Sequence, residues 1–138
     1  MRGRTLLLSL LLAVSNAAFA SGAAPDDAPR FAAEEFLALI DASRYDATWS
    51  AASEWLRTNV DAEEWAEHAG RYRESLGEVE SRVVKSVELL DELEEMPEGR
   101  YAFVTFDTTL ADGRNATELV GLVLGGDNAW RVIGYQSH

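Results

Sequence analysis

The feature that most constrains this chain is a single change of hydrophobic period at Gly77. Before it, apolar residues recur at helical spacing, and after it they alternate as on strands. A chain that passes once from helical to strand period, without returning, cannot build repeated strand-helix-strand units. The pattern therefore predicts an α+β domain, with about three N-terminal helices packed on a curved antiparallel sheet of about four strands.

The first helix is predicted over residues 30–43, where Ala33, Phe36, Leu37 and Ile40 fall on one face and Glu34, Glu35 and Asp41 at its edge or beyond. A second is predicted over 46–57, with Tyr45, Trp49, Ala52 and Leu56 on one stripe. Trp55 lies off that stripe and needs another cover. The third opens with Asp61 as N-cap and Glu64 three residues on, carries Trp65, Ala69, Tyr72 and Leu76 on one face, and closes at Gly77.

Residues 78–90 are rich in valine and too long for a flat strand, so a bend or bulge is predicted there. An acidic loop over 91–99 contains Pro97 and Gly99. In 101–110, Ala102, Val104, Phe106, Thr108 and Leu110 share one face, and Tyr101, Phe103, Thr105 and Asp107 the other. Asp112-Gly113 marks a hairpin turn, and strands over 117–124 and 129–136 are joined through Gly125-Gly126-Asp127-Asn128.

The first twenty residues read as a secretory leader: Arg2 and Arg4, then an apolar run from Leu6 to Val14 broken by Ser9, then the small-x-small site Ala18-Phe19-Ala20. That run is shorter than the roughly 20 residues a bilayer-spanning helix needs. Cleavage after Ala20 predicts an exported protein, periplasmic or secreted. A flexible lead over 21–29 and a single domain over 30–138 follow. The chain has no cysteine, so neither a disulfide nor a lipid on sulfur is available and stability must come from apolar burial. The net charge is −12, and loss of Arg2 and Arg4 with the leader makes the mature chain more acidic still. Nucleic acid is disfavoured as a partner, and anionic membrane surfaces after leader cleavage with it.

Particular residues carry a family likeness: Asp41-x3-Tyr45-x3-Trp49, Trp65, Arg73-x2-Leu76-Gly77-x4-Arg82, Pro97-x-Gly99-x-Tyr101, Phe106-x-Thr108, Glu118 and Trp130-Arg131-Val132-x-Gly134-Tyr135. In order and spacing they resemble the bacterial family called domain of unknown function 4019, over roughly residues 31–135. That resemblance implies a small exported protein with a cystatin-like, nuclear-transport-factor-two-like cone, in which helices close over a strongly curved sheet. The family's lipid-bearing cysteine is missing here, and the acidic connection over 91–98 departs from its pattern. The resemblance implies no reaction.

A cone of this kind suits enzymes and binding modules alike, so the side chains that would face its interior matter most. The ligand-pocket candidates are Trp49, Trp65, Tyr72, Arg73, Arg82, Tyr101, Glu118 and Trp130. Spacing on stripes and strands favours core packing for the aromatics. Half-buried ion pairing of Asp41 with Arg73, and of Arg82 with Glu118, is the structural expectation for the charged members. An unpaired arginine would instead suit an acidic ligand, and an unpaired Glu118 in a dry pocket would suit a general base. Metal chemistry is poorly supported, with only His68 and His138 available and the Glu64–His68 pair expected on an exposed helix face. No cofactor is expected. The sequence thus points to a module binding a small molecule or an envelope protein. The alternatives are a cofactor-free lyase, isomerase or hydrolase using Glu118 or a tyrosine, and a homodimer formed through the sheet, whose last strands are apolar on both faces.

Overall fold

The computed structural model describes residues 27–138, so the expected leader lies outside the described residues. Helix α1 spans Asp27–Asp41 and starts three residues earlier than the apolar stripe predicts. Pro29 sits in its first turn, where a missing N–H costs nothing. The predicted face, Ala33, Phe36, Leu37 and Ile40, is the buried one.

In place of one helix over 46–57, two short helices form, α2 at Tyr45–Ser50 and α3 at Glu54–Asn59. Ser53 causes the break. Its side-chain oxygen accepts from the Leu56 amide at 3.1 Å, capping α3, while its own amide donates to Val132 O on the last strand at 3.0 Å. A continuous helix would have turned that amide toward the preceding turn, so the serine cap and the strand carbonyl together outcompete it. The break also re-aims Trp55 away from the α2 stripe. Helix α4, Ala62–Leu76, begins at the predicted Asp61 cap, which accepts from Glu64 N at 2.8 Å, and ends at Gly77 in a positive-φ conformation.

The four strands β1 (Val79–Leu90), β2 (Tyr101–Leu110), β3 (Asn115–Leu124) and β4 (Trp130–Ser137) form an open antiparallel meander in sequence order. The bend predicted in β1 appears as two register shifts, at Val79/Ser81 and Val84/Ser86, and a third lies at Gly121/Leu122. Helices α1 and α4 pack on one face, and α3 sits at the β4 edge, where it reaches the rim of the other. Beneath α1 and α4, Ala102, Val104, Phe106, Val120, Leu122, Val132 and Tyr135 join Phe36, Leu37, Ile40 and Trp65 in one core. The other face leaves Val83 exposed and Phe103, Leu119 and Ile133 partly so.

The helices also cover the outer edge of β4. Beyond the Ser53 contact, His68 Nε2 meets Tyr135 O at 3.2 Å and Ser137 Oγ donates to Tyr72 O at 3.2 Å. The opposite edge, β1, is interrupted by its shifts and carries Glu80, Lys85 and Glu88, features that discourage further strand pairing.

Candidate functional site

The interior between α1, α4 and the sheet is filled rather than hollow. Phe36, Trp65, His68, Tyr72 and Tyr135 form a closed circuit of neighbouring rings, with centroids 5.0 to 6.3 Å apart. Edge-on and tilted contacts of this kind pack well, and Phe36, Trp65 and Tyr135 are buried within them. His68 is therefore half-buried within the circuit, not on the exposed helix face that its spacing from Glu64 predicts.

Beside the circuit lies a buried charge network to which each strand contributes one side chain. Glu118 of β3 is wholly buried. Arg82 of β1 donates to it through Nε at 2.6 Å and Nη2 at 3.3 Å, Thr108 of β2 through Oγ1 at 2.7 Å, and Tyr135 of β4 through Oη at 2.6 Å. A carboxylate offers about four lone-pair sites, and all are taken. Arg82 then turns its remaining edge to Asp41 at the end of α1, with Nη1 at 2.6 Å and Nη2 at 2.8 Å. Arg73 of α4 completes the chain, its Nε 3.0 Å from Asp41 and its Nη1 bonded to Gly77 O.

Arg73, Asp41, Arg82 and Glu118 thus alternate in sign and cancel in charge. Burial opposes ionisation of Asp41, but the hydrogen bonds and charges of Arg82 and Arg73 hold its carboxyl below the usual range. Burial likewise works against charge on Arg82, yet Asp41 and Glu118 lift its pKa above the ordinary arginine value. Burial, then the adjacent Glu118 charge, pushes the Tyr135 phenol up. Both pairings predicted from sequence are present. Thr108 and Tyr135 escaped that reading, although their positions on the inward face of alternating strands were visible.

The remaining candidates are dispersed. Trp65 and Tyr72 belong to the aromatic circuit, and Trp65 Nε1 donates to buried Thr48 Oγ1 at 2.9 Å. Trp49 is half-buried and donates to Val60 O at 2.8 Å. Trp130 lines a crevice of about 110 Å³ between α1, α2 and β4. Tyr101 lies on the opposite sheet face, buried, with its hydroxyl donating to Pro97 O at 2.6 Å. The eight residues therefore do not line a common cavity. Among the described residues no group of three or more His, Cys, Asp or Glu side chains is placed to hold a metal ion, and no helix is long and apolar enough to cross a membrane.

An outer groove of about 640 Å³ is bounded by α3, the loop at Met96–Glu98 and the β3–β4 turn. Trp55, Met96, Tyr101, Val123 and Ile133 give it apolar walls. At its end Arg131 holds Asp127 through two bonds, at 2.9 and 2.6 Å, folded against Gly125. A Cβ at Gly125 would lie 2.7 Å from Arg131 Nη1 and 2.8 Å from Asp127 Oδ1, so the exposed ion pair would have to shift to admit one. Of the eight candidates only Tyr101 lines this groove. The off-stripe position of Trp55 was the sequence signal for it.

A family model described as Protein of unknown function (DUF4019) matches residues 32–135. With most of its length matched, the chain belongs to that family. No curated protein matches it.

Proposed function

We propose that this member of the DUF4019 family is an exported, non-catalytic binding module that receives its ligand on the outer surface and keeps the interior of the fold for stability. The observation that carries the reading is the state of Glu118. A general base needs an acceptor lone pair within reach of a substrate proton. Glu118 has four donors on its carboxylate and no solvent exposure. The tyrosine beside it is a poor substitute, since burial and that same carboxylate keep its proton in place. Burial of Phe36, Trp65 and Tyr135 in the aromatic circuit supports an interior given to packing.

The test is Glu118→Gln, followed by urea unfolding at neutral pH. The structural role predicts a lower midpoint, because Arg82 loses its buried counter-charge. A more stable variant would mean that the carboxylate is a burden tolerated for chemistry. That result would replace the binding module with the cofactor-free enzyme.

A further inference from the structure

We infer that the outer groove beside α3 docks an extended segment of a partner protein carrying apolar and basic side chains. The inference rests on the binding-module reading and names its site and occupant. Shape is the first argument. Sites for compact small molecules enclose most of the ligand surface, whereas this groove is an open trough floored by one sheet face and walled by a six-residue helix, a loop and a turn. It shares Ile133 with a second depression of about 370 Å³, where Phe103, Leu119 and Gly121 meet His68, Tyr135 and Gln136 at the β4 edge. Phe103 and Ile133 lean together over Gly121, where a Cβ would come within 3.1 and 3.2 Å of them. The result is an apolar track across the sheet, longer than a compact ligand needs and suited to an elongated one.

Charge is the second argument. Asp127 and Arg131 neutralise each other. Of the other charged residues lining the groove, Glu54 on the α3 wall and Glu98 on the loop wall make no ion pair among the described residues. Among the described residues Arg57, also in the groove, has no carboxylate partner. Its Nε is bound back to Ala52 O at 3.2 Å. The walls are therefore acidic on balance, and the chain as a whole carries −12. Long-range repulsion disfavours acidic partners and a second copy of this chain, and it steers basic ones inward. Trp55 adds an aromatic face for a lysine or arginine head, and Met96 a pliable apolar surface that adapts to different side chains.

The experiment pans phage-displayed random-sequence peptides on the immobilised mature chain, then measures the best peptide, synthesised with a fluorescent label, by anisotropy. Enriched sequences should combine aromatic or aliphatic residues with Lys or Arg. Binding should weaken by about tenfold or more in Val123→Arg and in Trp55→Ala, and should also weaken as salt is raised. Thermal melts identify which of the two variants is folded, and one folded variant is sufficient. Enrichment of acidic peptides, no enrichment above an equally acidic control protein, or binding unchanged in a folded variant would overturn the proposal. So would a concentration-dependent dimer abolished by Val123→Arg, which would assign the track to a second copy. None of these outcomes depends on the stability of Glu118→Gln, so failure here is distinguishable from failure of the binding-module reading.

Discussion

Glu118, Thr108 and Tyr135 show how a carboxyl group can be buried at the centre of a sheet with its hydrogen bonds satisfied. Each donor was supplied by a different strand, so the carboxylate exchanges water for protein partners of fixed geometry. Removing the charge and removing a single donor should therefore differ in size. Glu118→Gln should cost about 3 kcal/mol or more, since it leaves Arg82 partly uncompensated. Thr108→Val removes one neutral donor from an otherwise bonded carboxylate and should cost roughly 1 to 3 kcal/mol. Urea midpoints of the two variants check the order, and a Thr108→Val effect exceeding that of Glu118→Gln would contradict it.

At the scale of elements, the break between α2 and α3 is the feature on which the outer groove depends, since α3 forms one of its walls. Ser53 holds that break from two sides, capping α3 with its hydroxyl and pinning the chain to β4 with its amide. Ser53→Ala retains the amide bond and loses the cap. It should cost about 1 kcal/mol, with amide exchange quickening in Glu54–Asn59 and unchanged in Ala62–Leu76. Uniform quickening through both helices would show that α3 is not a separate unit. The break was legible only in part: the stripe over 46–57 reads as one helix because Ala52 and Leu56 keep helical spacing across it. Serine can cap a helix or continue one, and the strand carbonyl that decides between them lies far away in sequence.

For the whole molecule, the network that joins α1, α4 and all four strands sets the pH range of stability. The Asp41 pKa is lowered in the fold, so its contribution is present above the ordinary carboxyl value and is lost as pH falls through and below about 4. The Tyr135 pKa is raised, so its contribution is present below the ordinary phenol value and is lost as pH rises beyond about 10. Stability should accordingly be flat near neutrality and decline on both sides. Urea midpoints across that range test this, and Tyr135→Phe should blunt the alkaline decline. Export belongs to the same scale. Expressed in a Gram-negative host, the chain should be recovered from the periplasm with Ser21 at its N-terminus; intact mass retaining Met1 to Ala20 would reject the leader.

The one-way change of period at Gly77 was enough to determine the α+β class and the faces that meet in the core. These follow from local spacing, because burial of one face imposes period 3.6 on helices and 2 on strands. Spacing also placed Asp41 and Arg73 on helix flanks where an ion pair forms, whereas Arg82 and Glu118 were marked by the family likeness. Tertiary structure alone decided that Arg82 joins both carboxylates, that Thr108 and Tyr135 complete the Glu118 shell, and that five rings meet in one circuit. It also placed the open groove on the far side of the sheet, between a helix and a loop separated by some forty residues. The physical reason is range: periodicity reports which face of an element is buried, whereas the partner across the interface is chosen by packing and hydrogen-bond geometry among residues distant in the chain.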